Sequence, residues 1–223
     1  MLIAGFPAGA FQTNCYLVAP GPGQECVIVD PGQDAVEGVD ELLREHRLKP
    51  VAVVLTHGHL DHVWSVAPVC GARGIPAWIH PDDREMLSDP TKSIGTPIFG
   101  DLTLSEPDDV RELTDGAVLK LAGLELTVDH TPGHTRGSVS FRLPGEKIMF
   151  SGDLLFAGSI GRTDLPGGDY PTILDSLATK VLPLPDETVV LPGHGPQTTV
   201  GRERATNPFL REAAPGAAPK KGI

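Results

Sequence analysis

The chain has 223 residues, 40% of them hydrophobic, enough for one domain with a sizeable core. A formal net charge of −11 argues against nucleic acid as a partner, because that ligand is held through phosphate contacts. The three cysteines are scattered without a C-x-x-C and no run of about 18 apolar residues occurs, so neither a disulfide scaffold nor a membrane span is expected.

The opening segment carries no basic region before its apolar stretch, which Gln12 and Asn14 interrupt, so no signal peptide is expected. Cys15, Cys26 and Cys70 read as buried thiols of a reducing compartment, and the expected location is the cytoplasm. Residues 13–18 and 27–29 are strand-like and flank Ala19-Pro20-Gly21-Pro22-Gly23, a hairpin signal. A helix is predicted over 35–46, with Val36, Val39, Leu42 and Leu43 on one face and His46 at its solvated end. Val51 to Leu55 is continuously apolar and β-branched, which predicts a strand buried on both faces.

Where that strand ends, the sequence reads Thr56-His57-Gly58-His59-Leu60-Asp61-His62. Extended backbone puts residues two apart on one side, so His57 and His59 can face one ion. A helix predicted from about Leu60 to Ala72 would carry Asp61 and His62 in its first turn, pointing toward a second ion. A carboxylate there also suits the helix dipole. Two later histidines follow the same pattern, each after a strand-like run: Pro132-Gly133-His134-Thr135 and Pro192-Gly193-His194-Gly195. Ser151-Gly152-Asp153 adds a carboxylate between them. Imidazole nitrogens and carboxylate oxygens suit zinc, iron and manganese. Seven such groups exceed one tetrahedral ion and match two ions sharing a carboxylate. Two divalent metal ions are therefore expected, zinc by default, with iron or manganese equally compatible.

Other segments are less specific. Ala77-Trp78-Ile79-His80 predicts a short strand, with His80 and Asp82 as its polar end. Residues 89–115 are polar and rich in Gly and Pro, and read as a long loop, either a lid or a surface insertion. Strands are predicted at 118–121, 124–128, 138–143, 147–150 and 188–191, and a helix near 171–180. His130 reads as a structural group near the ligands. The expected architecture is an α/β chain folded as an αββα sandwich, with the metals at the strand ends. One domain is expected over residues 1–212, with a loose tail over 213–223.

The motifs at 13–18, 27–32, 56–62, 130–138, 150–156 and 191–195 resemble the metallo-β-lactamase superfamily over nearly the whole chain, and most closely its short, glyoxalase II-like hydrolases. The resemblance implies His57, His59 and His134 on one metal and Asp61, His62 and His194 on the other. It also implies that Asp153 bridges the two, with Asp61 and Asp153 as the catalytic carboxylates. Class B β-lactamases typically place a cysteine on the second metal, and no cysteine here lies in a suitable motif, so lactamase activity is not expected. Glyoxalases II hold glutathione with a basic residue and, two positions later, a tyrosine; this chain has Arg162 and then Asp164. Thr206 to Arg211 resembles a stretch of their helical C-terminal domain. Arg162 and Arg211 are thus the candidate substrate contacts. The expected activity is hydrolysis of a small hydroxyacyl thioester. The alternative is a persulfide dioxygenase with a single iron on His57, His134 and Asp153.

Overall fold

A computed structural model describes residues 1–95 and 104–216. Two six-stranded sheets lie face to face. The first has strand order β1 (Leu2–Ala8), β2 (Thr13–Ala19), β3 (Glu25–Val29), β4 (Lys49–Val54), β5 (Ala77–Ile79) and β6 (Val110–Glu112). The second runs from β7 (Val118–Leu121) through β8 (Leu124–His130), β9 (Val139–Leu143), β10 (Ile148–Gly152) and β11 (Val189–Pro192) to β12 (Thr198–Thr199). In the first sheet β3 to β6 are parallel, and in the second β10 and β11 are.

The layering follows from strand alternation. Val27 and Val29 face the second sheet, whereas Cys26 and Ile28 face helices. The inter-sheet core joins Val18, Ala52 and Val54 to Leu126, Val128, Phe141 and Phe150. Helices α1 (Ala35–His46), α2 (Leu60–Val63) and α3 (Val66–Gly71) cover the outer face of the first sheet, through Val39, Val63, Val66 and Val69. Helix α5 (Tyr170–Ser176, continued as a π turn over Leu177–Val181), α6 (Val200–Thr206) and α7 (Pro208–Glu212) cover the second through Ile173, Leu177, Val200 and Leu210. This is the αββα sandwich. Fully burying each Val, Leu, Ile or Phe contributes about 1.5–3 kcal/mol, so the three apolar layers dominate stability.

Two expectations need correction. The helix over 60–72 is broken into α2 and α3. Ser65 donates its N–H to Pro31 O at 3.1 Å, outside the helix, and Asp61 O accepts instead from Gln33 N at 3.3 Å. Pro68 has no N–H to continue the ladder. The break lets the turn carrying Asp61 and His62 lean on the segment after β3. The region 89–115 is not a plain loop. It contains α4 (Thr91–Ile94) and β6, which pairs in parallel with β5, and Leu113 is buried. The lid expectation falls in part on residues 96–103, outside the described residues. The tail expectation likewise falls mainly outside them, on 217–223.

Candidate metal centre

The loops after β4, β8, β10 and β11 all open at one end of the sandwich and carry the expected ligands. Residues from β2 stitch the two sheets together at that end. Asn14 N donates to Gly193 O at 2.7 Å, and the Asn14 amide donates to Pro192 O and Gly195 O at 3.0 and 2.9 Å. The Tyr16 hydroxyl donates to Pro192 O at 2.8 Å. Gly193 permits the close packing, since a Cβ there would lie 2.2 Å from Asp153 Oδ1 and 2.6 Å from His62 Cε1.

His57, His59 and His134 come together as one group, and Asp61, His62 and His194 as a second. His57 and His62 also cluster with Asp153. Asp153 Oδ1 is 3.4 Å from His62 Nε2, and its Oδ2 is 3.5 Å from His134 Nε2 and 3.7 Å from His194 Nε2. Its carboxylate therefore touches imidazoles of both groups. Asp61 Oδ2 is 3.1 Å from His194 Nε2 and accepts from the Thr13 hydroxyl at 2.8 Å.

The hydrogen bonds behind the imidazoles set which nitrogen faces inward. Thr56 Oγ1 donates to Asp30 Oδ2 at 2.6 Å, so it accepts from His57 Nδ1 at 3.1 Å. His62 Nδ1 donates to Asp30 Oδ2 at 2.9 Å, and His134 Nδ1 donates to Arg162 O at 2.7 Å. Each ring is left with Nε2 toward the site. His57 Nε2 and His134 Nε2 then face each other at 3.2 Å with lone pairs on both. His59 Nε2 is buried without a hydrogen-bond partner, and His62 Nε2 and Asp153 Oδ1 have none beyond their own ion pair at 3.4 Å. An unsatisfied buried polar atom costs about 1–3 kcal/mol, and these three converging atoms fit bound cations.

Electrostatics agree. Burial, joined by the neighbouring imidazoles, pushes His57 well below the ordinary range and His59 down to about 3, so both are neutral donors. Burial acts against protonation of His62 and His194 as well, but Asp61 and Asp153 outweigh it and raise both. Burial would raise Asp61 and Asp153, yet His62 and its neighbours hold both low. Cations held between them would balance the two carboxylates in place of protons on His62 and His194.

The ligands sit at the base of a cleft of about 390 Å³ whose other walls are Phe11, Leu60, Ile94, Leu165 and Arg162. Arg162 thus reaches the mouth, but its guanidinium makes a fork with Asp164, at 2.7 Å for both bonds. Both side chains are mostly exposed, so water screens the pair and it adds little to stability. Arg211 does not line the cleft. It lies exposed on α7, outside the lining of the cleft, with its guanidinium turned back to Ala205 O. Helices α6 and α7 instead brace the loop after Asp153: Asn207 Nδ2 donates to Ser159 O at 3.0 Å, and Phe156 in that loop lies edge-on to His194.

Other titratable groups lie outside the ligand set. The His80 and His130 rings stack in parallel, 4.2 Å apart, away from the cleft. His130 Nε2 donates to Arg136 O at 2.8 Å, and His80 Nδ1 accepts from Asp82 N at 3.3 Å; with Asp82 the two rings form a separate His/Asp group outside the cleft. The three cysteines are buried and free; burial raises Cys15 and pushes Cys26 and Cys70 up to about 12. Sequence reasoning missed the buried carboxylates Asp30 and Asp83. Asp30 was visible only as the polar residue closing an apolar strand, in Val27-Ile28-Val29-Asp30, and nothing in the local sequence marks Asp83.

The chain belongs to the metallo-β-lactamase superfamily, whose model matches residues 8–194. It is 38% identical over 214 residues to the hydroxyacylglutathione hydrolase GloC of Haemophilus influenzae, covering 94% of this chain and 98% of that one. Among solved structures it is similar to the BLEG-1 B3 metallo-β-lactamase, with a TM-score of 0.86 and 42% identity over 94% of this chain and 99% of that one. It is also similar to TTHA1623 in a di-iron-bound form, with a TM-score of 0.77 and 42% identity over 90% of this chain and 96% of that one. Members of the superfamily bind metals, and most are metal-dependent hydrolases. Among the described residues, no helix is long and apolar enough to cross a membrane.

Proposed function

We infer that this chain is a dinuclear metal-dependent hydrolase of a small hydroxyacyl thioester. The observation that carries the reading is the pair of three-residue donor groups with Asp153 between them, its Oδ1 and the Nε2 atoms of His59 and His62 buried and without hydrogen-bond partners outside the site. His57, His59 and His134 would hold one ion and Asp61, His62 and His194 the other. Two divalent ions in such a site supply a Lewis acid and a nucleophilic hydroxide at neutral pH. Zinc fits these ligands, as do iron and manganese, and the relative in a di-iron-bound form supports a count of two ions. The single-iron alternative on His57, His134 and Asp153 would leave His59 Nε2 without a partner.

The residues of the cleft bear on the leaving group. Apart from the ligands, its walls are apolar save for Arg162, which stays protonated. Among the described residues lining it, none outside the ligand set is placed to donate a proton. A thiolate, with a conjugate-acid pKa of about 8.5, departs without one; an amine does not. The relative named as a hydroxyacylglutathione hydrolase supports an acyl group of the hydroxy-acid class. Glutathione as the carrier has less support, because Asp164 replaces the expected tyrosine and occupies Arg162.

One observation favours a second reading. The likeness to a B3 metallo-β-lactamase makes a β-lactam amide the rival substrate, and the argument from missing cysteines does not by itself outweigh it. A panel of hydroxyacyl thioesters and β-lactams on metal-loaded protein separates the two. The expected result is a higher kcat/KM on a thioester than on any lactam. A preference for lactams would overturn the thioester reading.

Arg162 is testable on the same panel. Its pair with Asp164 is exposed, so a substrate carboxylate can take the place of Asp164 in the guanidinium fork. Arg162→Ala is expected to raise KM for an anionic thioester, with a loss of roughly 1.5–3 kcal/mol, and to spare a neutral one. Equal losses on both, with a lowered Tm, would show that Arg162 only supports its loop.

A further inference from the structure

The two missed carboxylates hold different parts of the centre. Asp30 reaches His62 directly and His57 through Thr56. Asp83 touches no imidazole. It is fully buried on the 3-10 helix Pro81–Leu87, and every hydrogen bond it accepts comes from a loop that carries ligands. Its Oδ2 accepts from Gly58 N at 3.0 Å and from the Thr135 hydroxyl at 2.6 Å. Its Oδ1 accepts from Gly137 N at 2.8 Å.

These donors have a common meaning. Gly58 lies between His57 and His59, and Thr135 follows His134. One carboxylate therefore ties together the loops that supply all three imidazoles of the first group. The loops come from different sheets; one backbone hydrogen bond, Val139 N to Thr56 O at 2.7 Å, joins them at their base, and the Asp83 carboxylate joins them beyond it, beside the imidazoles. The contact is close-packed: a Cβ on Gly137 would lie 2.7 Å from Asp83 Cγ. The segment bearing Asp83 is anchored in turn, because His80, just before it, stacks on His130 at the end of β8. None of these contacts involves Asp61 or His194.

We propose that Asp83 is a positioning residue for one ion only: it fixes the His57–His59–His134 group and so decides whether the centre holds two ions or one. The proposal rests on the two-ion reading above. An ionised carboxylate accepts from all three donors. Asparagine keeps the volume but turns an N–H toward at least one of them, so the loops separate while the core stays filled. Partners behind metal ligands typically account for about 10–100-fold in affinity.

The test is metal content per chain after dialysis against a weak chelator, with far-UV circular dichroism of the ion-free proteins as a check on folding. Wild type is expected to keep two ions and Asp83→Asn one. On a His59→Ala background, where the first ion is already gone, adding Asp83→Asn is expected to change nothing. On an Asp61→Ala background, which weakens the second ion, it is expected to empty the centre. That pattern separates positioning of one ion from general damage, which would strip both. Two ions retained by Asp83→Asn with unchanged resistance to chelator would overturn the proposal alone. Loss of both ions from the His59→Ala, Asp83→Asn protein would do the same. Fewer than two ions in wild type would overturn the two-ion reading as well. Thr135→Val removes one of the three donors, and a smaller loss of the same ion is expected. If Asp83→Asn does not fold, an unchanged first ion in Thr135→Val overturns the proposal.

Discussion

His59→Ala is expected to reduce hydrolysis at least about a hundredfold, some 2.7 kcal/mol on the barrier, while leaving the ion-free fold intact. His59 caps the start of α2 through its backbone and is buried, yet its Nε2 has no hydrogen-bond partner. Deleting the ring removes an unsatisfied polar atom, whose burial costs about 1–3 kcal/mol. That gain offsets much of the packing lost, so Tm of the ion-free protein should change little. Added metal should raise the Tm of wild type more than that of the variant, because stabilisation by a ligand follows its affinity for the native state. Retention of more than a tenth of wild-type activity would contradict the assignment of His59 as a ligand. A collapse of the ion-free fold would show that the ring is structural.

Asp153→Ala is expected to cost more than Asp61→Ala, by at least about tenfold, or 1.4 kcal/mol. Asp153 approaches His62, His134 and His194, and so contacts both donor groups, whereas Asp61 approaches only His62 and His194. A carboxylate shared by two dications also cancels part of their repulsion. Without it, the ions lose a common ligand and gain an uncompensated like-charge contact. Metal content should therefore fall further in Asp153→Ala than in Asp61→Ala. Equal metal content in wild type and Asp153→Ala would remove the bridging role.

The ligands were legible in the sequence because they are chemically conspicuous. Histidines two apart at the end of an apolar strand, followed by Asp61 and His62, have few uses other than metal binding, and the structure gathers all seven residues at one end of the sandwich. The four-layer fold was legible because Val51 to Leu55, spanning most of β4, is continuously apolar, while β8 and β9 alternate in sequence. What escaped depends on partners far away in the chain. Asp30 bonds Thr56 and His62, and Asp83 bonds Gly58, Thr135 and Gly137, so the role of neither is written in its local sequence, although Asp30 closes a recognisable strand motif. The break between α2 and α3 comes from Ser65 bonding Pro31, a contact made only in the folded chain. Strand β6 has three residues, two of them charged, too few to display a period. Helices α6 and α7 are short and largely polar in sequence, and only their tertiary packing through Val200 and Leu210 defines them.

The central claim is that hydrolysis of a thioester requires both ions. It is tested most directly by stripping the protein with a strong chelator, adding metal in measured equivalents, and following thiol release from a hydroxyacyl thioester at each step. The account predicts that activity climbs to a plateau at two equivalents per chain. A plateau at one equivalent, or no thiol release at any loading, would contradict it.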